Sequence, residues 1–281
     1  MIKGLGTALI TPFKADKRVD YDALARLLDT QLTGAVDYIV VLGTTGEAAT
    51  MTEDEKREVR TFIRQYVNGR LPLVLGVGGN NTAAVCESLK AIDLTGFEAI
   101  LSVCPYYNKP NQEGLFQHFR AVAEASPIPV ILYNVPGRTG VNLLPETVMR
   151  IYEAQPKKIV GIKEASGNVE QIKHLIDLAK DKLMVISGDD GIACEIMEAG
   201  GAGLISVASN AFPDDFYAIV HKKDQAKQAQ YEQMVKLLFK EGNPVGIKAV
   251  LAQKGIIQNY LRLPLVPASA ALQEDIQKEL A

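Results

Sequence analysis

The segment VILYNVPGRTGVNLLPETVMRIYEAQPKKIVGIK, residues 130–163, contains two short apolar runs with a helical pattern between them. Residues 130–134 and 159–163 are rich in β-branched side chains, which favours β-strands. Pro145 begins the helical pattern, in the first turn of a helix, where its missing N–H is not needed. Because two consecutive strands joined by a helix run parallel, the segment predicts a β–α–β unit.

The same alternation extends outward along the chain in both directions. The residues between the apolar runs have helical periodicity, and Thr52 with Glu55 matches a capping box at one helix start. No GxGxxG pattern follows the first strand, which disfavours a dinucleotide-binding fold. Eight strand–helix units over about 220 residues predict an α/β fold, the closed (β/α)8 TIM barrel, rather than an open doubly wound sheet. The eight predicted strands are residues 7–11, 38–43, 73–77, 99–104, 130–134, 159–163, 184–187 and 203–207.

The strand–helix alternation stops after about residue 223. We therefore predict a barrel over residues 1–223 and a C-terminal helical region over residues 224–281. The apolar positions of this region need a partner surface, which is either the barrel or another subunit. Three helices without intervening strands are predicted here, at residues 225–240, 244–258 and 270–280.

Composition and charge exclude several classes of protein. The 281 residues include 30 Lys and Arg against 33 Asp and Glu, so a nucleic-acid-binding protein is disfavoured. The apolar runs are too short to cross a bilayer, so no membrane association is expected. The cysteines are odd in number and form no CxxC pair, which predicts reduced thiols in a cytoplasmic protein. The histidines are equally dispersed, so no metal site is expected. These residues are Cys86, Cys104, Cys194, His118, His174 and His221.

The carboxyl end of the sixth predicted strand carries a lysine. In a TIM barrel the chemistry takes place at the carboxyl ends of the strands. The alternation of the strand places Lys163 on the inward face, above Gly161, which leaves it room. A lysine in that position is costly unless it is paired or neutral, and the neutral amine is a nucleophile for carbonyl groups. The alternative is that Lys163 ends the strand and pairs with a carboxylate such as Glu164.

Polar side chains at the ends of the fifth and second strands point to the same chemistry. Tyr133 has the inward parity of its strand and could lie beside Lys163, where a phenol can relay protons. Arg138, in the following loop, has a planar fork that suits a carboxylate. Thr44 and Thr45, between two glycines, form a tight turn that can hold a small carboxylate or pass a proton. Taken singly, these residues also fit a core tyrosine, a solvated arginine and an ordinary turn.

Together these segments resemble the dihydrodipicolinate synthase / N-acetylneuraminate lyase family of class I pyruvate aldolases. The resemblance covers nearly the whole chain, and its C-terminal motifs are similar to those of the synthase branch. It rests on GTTGE at residues 43–47, PYY at 105–107, YNVPGRTG at 133–140, GIKE at 161–164, GDD at 188–190, NP at 243–244 and LRLP at 261–264.

The resemblance implies that Lys163 forms a Schiff base with pyruvate and needs no cofactor. Tyr133, Thr44 and Tyr107 would form the proton relay, with Tyr107 reaching across a dimer interface into the neighbouring site. The resulting enamine then attacks an aldehyde. The assembly that the resemblance implies is a homotetramer made of two tight dimers.

The resemblance also implies how the substrates are bound. Thr45, with its backbone N–H, would bind the pyruvate carboxylate, while Gly188 and Ile205 would line the site through backbone groups. An arginine at the position of Arg138 accompanies L-aspartate 4-semialdehyde, whose carboxylate it binds. The expected product is 4-hydroxy-tetrahydrodipicolinate, on the route to lysine and diaminopimelate.

One part of the family pattern is altered in this chain. Lysine-inhibited members carry small polar and histidine residues, together with an acid, in a cleft near the dimer interface. At the corresponding positions Lys56 would repel a lysine ammonium and Ala84 offers it no carboxylate, so we expect weak or absent feedback inhibition. These positions are Ala48, Ala49, Glu53, Lys56 and Ala84, although Asn80 and Tyr106 are retained.

Three other functions are consistent with parts of the pattern. A related pyruvate aldolase would act on a sugar aldehyde, as N-acetylneuraminate lyases do. A pyridoxal phosphate enzyme would also use a barrel lysine, with residues 200–203 cradling the phosphate. A non-enzymatic scaffold would have lost at least one group of the site, yet Lys163, Tyr133 and Arg138 are all present. A metal-dependent aldolase needs clustered ligands that the scattered histidines do not supply.

Overall fold

The computed structural model of the protein describes residues 2–281. It shows eight parallel strands that form a closed barrel in chain order. The predicted fold class is therefore confirmed. The strands are β1 (Gly4–Ala8), β2 (Tyr38–Val41), β3 (Leu73–Gly76), β4 (Ala99–Val103), β5 (Val130–Asn134), β6 (Ile159–Glu164), β7 (Met184–Ser187) and β8 (Gly203–Ser206).

Helices connect the strands, and further helices follow the last one. Both predicted helix starts are confirmed, because Thr52 and Glu55 form the capping box and Pro145 is the first residue of its helix. The helices are α1 (Tyr21–Thr33), α2 (Glu53–Val67), α3 (Thr82–Ala91), α4 (Gln112–Ala125), α5 (Pro136–Thr139), α6 (Pro145–Ala154), α7 (Val169–Ala179), α8 (Ala193–Glu198), α9 (Pro213–Lys222), α10 (Gln225–Gln230), α11 (Glu232–Lys240), α12 (Val245–Gln253) and α13 (Ala270–Leu280).

The first strand lies nearer the chain start than its sequence predicts. It begins at Gly4 and ends at Ala8, whereas residues 7–11 were expected. The strand ends early because the backbone N–H of Ile10 donates to the side chain of Asn210, 3.1 Å away. Pro12 then offers no N–H to continue a ladder.

The C-terminal region contains four helices where three were predicted. The expected helix at 225–240 is interrupted at Tyr231, which lies between α10 and α11. The ring of Tyr231 packs against those of Phe212 and Phe216, with centroids 5.0 and 5.3 Å away. The backbone of Tyr231, with φ −92° and ψ 0°, departs from regular α-helix at this break. The ring contacts that accompany the break are tertiary packing, which local periodicity does not report. The helix expected at 244–258 is shorter than predicted, and α13 matches its prediction.

The chain divides into two compact units. One contains residues 73–205 with residues 2–3, and the other contains residues 4–72 and 206–281. This division differs from the boundary between residues 223 and 224, which stays a prediction. No helix among residues 2–281 is long and apolar enough to span a membrane.

The unit formed by residues 73–205 contains Lys163, the nucleophile expected from the sequence. Strands β5 and β6 are paired in register, with Tyr133 opposite Lys163 and Asn134 opposite Glu164. The register skips Val160 near the start of β6, so a β-bulge lies below this pair. Strands β4 and β5 are buried almost throughout, as expected for parallel strands covered by helices.

The other unit joins β1 and β2 to the C-terminal helices. Gly6 lies opposite Tyr38 in the parallel pairing of these two strands. Helices α11, α12 and α13 pack on one another through apolar side chains, which gives this region a core of its own. The fully or nearly buried residues of that core include Met234, Leu237, Leu238, Val250, Leu251, Leu272 and Ile276.

Candidate active site

Lys163 is a buried lysine at the carboxyl end of β6. Only 6% of its surface is exposed, and its Nζ lies 4.6 Å from the centroid of the Tyr133 ring. A Cβ on Gly188 would lie 2.8 Å from Lys163 Cε, so Gly188 keeps this space open. A Cβ on Gly161 would instead meet the backbone oxygen of Met184 at 3.0 Å. The room beside the lysine is therefore provided by Gly188, and Gly161 permits the close approach of β7.

Glu164 makes hydrogen bonds with groups other than Lys163. Its carboxylate accepts from the Asn134 side chain at 2.9 Å, from the Ser166 N–H at 2.8 Å and from the Gln171 side chain at 3.3 Å. Burial raises the pKa of Glu164 above its ordinary value. The alternation of β6 turns Glu164 away from Lys163, so the alternative of a lysine paired with this carboxylate does not describe the geometry.

Tyr133 and Arg138 lie at the end of β5 in different environments. Tyr133 is 7% exposed, whereas Arg138 is exposed on α5, a short helix where the sequence suggested a loop. Thr139 shapes this segment, because its hydroxyl bonds to the backbone oxygens of Val135 and Val141 at 3.2 and 3.0 Å. The structure therefore presents a buried phenol beside the lysine and a guanidinium at the surface of the same segment.

Tyr107 projects from the loop between β4 and α4. It is 89% exposed in the single chain and adopts a left-handed backbone conformation with φ +74°. The loop is tied to Asn80, which donates to the backbone oxygen of Tyr106 at 3.1 Å and accepts from Asn108 at 2.8 Å. Tyr107 thus occupies an ordered loop but has few intramolecular contacts.

Gly188 and Ile205 continue the carboxyl edge of the same unit. Gly188 follows β7 directly, and its N–H donates to the backbone oxygen of Glu164 at 2.8 Å. Ile205 lies on β8 and is fully buried. Lys163, Tyr133 and Gly188 are therefore brought together at this edge.

Thr44 and Thr45 lie in the other unit, in one 3-10 turn. Thr45 is 2% exposed, whereas Thr44 is exposed. The hydrogen bonds of the turn run from the N–H groups of Gly46 and Glu47 to Gly43 and Thr44, both at 3.1 Å. The N–H groups of Thr44 and Thr45 take no part in these two bonds. The turn therefore presents the hydroxyls and the backbone amides of Thr44 and Thr45.

This turn is held by four residues to which the sequence assigned no role, namely Glu47, Asn243, Lys248 and Arg262. Asn243 donates to the Thr45 hydroxyl, and Lys248 and Arg262 both bond to the carboxylate of Glu47. The sequence contains a signal for one of them. Lys248 is the single charged residue within an otherwise apolar stretch of α12. A lone charge in a buried helix predicts a buried partner, although the sequence does not say which one.

The whole chain matches the family model of the dihydrodipicolinate synthetase family, over residues 1–281. The chain belongs to this family. A 4-hydroxy-tetrahydrodipicolinate synthase of Parabacteroides distasonis is 48% identical, with 99% of this chain and 96% of the relative covered. The crystal structure of the dihydrodipicolinate synthase of Thermotoga maritima superposes with a TM-score of 0.96 at 40% identity, covering 100% of this chain and 98% of that one.

A second solved structure has the same degree of similarity. The chloride-inhibited dihydrodipicolinate synthase of Acinetobacter baumannii, in complex with pyruvate, gives a TM-score of 0.96 at 39% identity, with 100% and 98% of the two chains covered. The predicted family and enzyme class, a Schiff-base-forming lyase, are confirmed. The relatives support the synthase prediction over the sugar-aldehyde alternative. Within residues 2–281, no three His, Cys, Asp or Glu side chains are placed to share a metal ion.

Proposed function

We propose that this chain is a 4-hydroxy-tetrahydrodipicolinate synthase that condenses pyruvate with L-aspartate 4-semialdehyde. The observation that supports it best is the buried Lys163, whose Nζ lies over the Tyr133 ring while Glu164 bonds elsewhere. A lysine without a bonded carboxylate can act as the nucleophile toward a ketone. The family membership of the chain supports the same reaction.

Lys163 adds to the pyruvate carbonyl, and loss of water gives the imine. Removal of a proton from the methyl carbon then gives an enamine, whose carbon attacks the aldehyde, and the aldehyde oxygen takes up a proton. The substrate amino group finally displaces Lys163 and closes the ring. Each of these steps moves a proton, and we assign that work to Tyr133, Thr44 and Tyr107, whose hydroxyls both donate and accept.

Substrate binding uses groups at three strand ends. Thr45 binds the pyruvate carboxylate through its hydroxyl and backbone N–H, with Gly188 and Ile205 contributing backbone groups. Arg138 binds the carboxylate of the aldehyde, because its exposed, planar fork can form two parallel hydrogen bonds to it. The chemistry of both substrates requires carboxylate recognition, and these residues offer it.

The active assembly is a homotetramer of two tight dimers. The exposed Tyr107, whose hydroxyl would otherwise end in solvent, supports the dimer, and the family resemblance supports the tetramer. The enzyme acts in the cytoplasm, which is consistent with the free thiols of Cys86, Cys104 and Cys194. Feedback inhibition by lysine is weak or absent, because Ala84 offers no carboxylate to the effector and the Lys56 cation would repel its ammonium group.

Initial rates with pyruvate and L-aspartate 4-semialdehyde, coupled to a dihydrodipicolinate reductase, test the proposed reaction. We expect robust turnover by the wild type, and a borohydride-trapped pyruvate adduct on Lys163 that Lys163→Ala loses. Turnover of pyruvate with N-acetylmannosamine, but not with the semialdehyde, would favour the sugar-aldehyde alternative. Absence of the trapped adduct would overturn the Schiff-base mechanism itself.

A further inference from the structure

The turn that contains Thr45 ends in a buried carboxylate. Glu47 follows the turn directly and adopts a left-handed conformation, with φ +53°. It is 4% exposed, so its charge is removed from water. A buried carboxylate is costly unless other groups bond to it, and a non-glycine residue in this conformation is uncommon. The position of Glu47 is therefore maintained by the groups around it.

Lys248 and Arg262, from the C-terminal part of the chain, occupy both oxygens of that carboxylate. The fully buried Nζ of Lys248 contacts Glu47 Oε1, donates to the backbone oxygen of Tyr260 at 3.1 Å and lies 4.2 Å from the centroid of the Phe13 ring. The backbone N–H of Arg262 donates to Glu47 Oε2 at 3.1 Å. The exit of the turn is thus bonded from α12 and from the segment that follows it.

The Arg262 side chain ties the same segment to the start of α2. Its guanidinium donates to Glu55 Oε2 at 2.8 Å and to the backbone oxygen of Thr50 at 3.0 Å, and lies 4.4 Å from the centroid of the Phe13 ring. The residues that follow the turn are therefore held by one C-terminal segment. This gives the turn a defined position before any ligand binds.

Asn243 acts on the turn at the hydroxyl of Thr45. The Asn243 side chain is buried, and its Nδ2 donates to Thr45 Oγ1 at 2.9 Å. A hydroxyl has one proton and two acceptor lone pairs. Because the Asn243 amide occupies a lone pair, the proton of Thr45 remains available to another acceptor. A carboxylate is such an acceptor, and a hydrogen bond to a charged group is stronger than one between neutral groups.

We propose that Asn243 is a positioning residue that orients the Thr45 hydroxyl as a donor to the pyruvate carboxylate, on a turn held in place by the Glu47–Lys248 pair. This inference rests on the proposed function, in which Thr45 binds that carboxylate. It makes the C-terminal region part of the substrate site through Asn243 and Lys248. The chemical step on Lys163 does not involve Asn243.

The test measures the pyruvate concentration at which half of Lys163 is trapped by borohydride, read by intact-protein mass spectrometry. We expect Asn243→Ala to raise this concentration about tenfold, and Asn243→Asp to raise it further. Aspartate has no N–H, so it would accept the Thr45 proton and repel the substrate carboxylate. The maximal trapped fraction and the KM for L-aspartate 4-semialdehyde should stay at wild-type values in Asn243→Ala.

Two controls separate this role from a loss of stability. Ser269→Ala removes the N-cap of α13 in the same C-terminal region, where the Ser269 hydroxyl bonds to Glu241 and to the N–H of Leu272. We expect it to lower the melting temperature and to leave half-saturation by pyruvate unchanged. In a Thr45→Val background, where the hydroxyl is gone, Asn243→Ala should produce no further weakening of pyruvate binding.

Each result has one meaning for the proposal. Equal half-saturation in Asn243→Ala and wild type, or the same tenfold loss in the Thr45→Val background, would overturn the role of Asn243. Failure of Asn243→Asp to fold leaves the decision to Asn243→Ala, which carries no buried charge. Failure of the wild type to form any pyruvate adduct would instead overturn the proposed function.

Discussion

Lys163 and Tyr133 lie opposite each other in the β5–β6 ladder, with the lysine Nζ 4.6 Å from the centroid of the tyrosine ring. The next pair along the ladder, Asn134 and Glu164, is joined by a hydrogen bond of 2.9 Å. That bond lies on the opposite face of the strands and fixes their register. A hydrogen bond on the other face of β5 and β6 therefore fixes the positions of Lys163 and Tyr133.

Gly188→Ala should impair formation of the imine on Lys163. The new Cβ would lie 2.8 Å from Lys163 Cε and 2.6 Å from the Ala165 Cβ, so atoms of the site must move. We expect at least about a tenfold lower rate of borohydride-trapped adduct formation, since small misplacements of reacting groups are costly. Gly137→Ala is the matched control, because a Cβ there meets nothing within 4 Å. Equal trapping rates in both variants would contradict the role given to Gly188.

Arg138→Leu should separate the two substrates. The variant removes the guanidinium that we assign to the aldehyde carboxylate, so the KM for L-aspartate 4-semialdehyde should rise and kcat/KM should fall by about a hundredfold. Trapping of pyruvate on Lys163 should remain at the wild-type level. Unchanged KM and kcat for the aldehyde would show that Arg138 does not bind it.

Subunit mixing tests whether Tyr107 acts in a neighbouring site. Tyr107→Phe and Lys163→Ala should each be nearly inactive alone. After subunit exchange, a hybrid dimer contains one site with an intact lysine and a tyrosine supplied by the partner. We expect activity to return to about a quarter of the wild-type level at equal mixing, for statistical pairing in a two-fold dimer. No recovery, with exchange verified by native mass spectrometry, would place Tyr107 in the site of its own chain.

The Glu55–Arg262 ion pair should stabilise the protein in a pH-dependent manner. Hydrogen bonds from Arg262 lower the pKa of Glu55 from 4.5 to about 2. Because the folded-state pKa is depressed, the stabilisation is fully present above pH 4.5 and is lost as the pH falls toward 2. Glu55→Gln keeps the capping geometry but removes the charge that pairs with Arg262. The variant should therefore cost about 1–2 kcal/mol of unfolding free energy at pH 7 and less at pH 3.

Urea unfolding of the wild type and Glu55→Gln at both pH values measures this difference. Glu53→Gln is the control, since Glu53 lies in the same helical turn but forms an exposed pair with Lys56. An exposed pair contributes little, so this variant should stay close to the wild type at either pH. A cost of Glu55→Gln that is the same at pH 7 and pH 3 would rule out the ion pair as its origin.

The barrel and the central lysine could be predicted from the residues alone. Strand alternation, helical periodicity and capping patterns are local signals, and they locate Lys163 at the end of β6 with Tyr133 at the end of β5. Residue chemistry suggested carboxylate binding or proton transfer for Thr44, Thr45 and Arg138, and the motif resemblance assigned their individual roles. Errors occurred where a distant side chain intervened, as Asn210 does after β1 and the Phe212 and Phe216 rings do at Tyr231.

The partners of the buried charges were decided only by the tertiary structure. Glu164 follows Lys163 in sequence yet bonds to Asn134 and Gln171, because neighbouring residues of a strand face opposite sides. Glu47 bonds to Lys248, 201 positions away. Local periodicity shows that a charge will be buried, but its partner depends on which segments the fold brings together, and that information is spread over the whole chain.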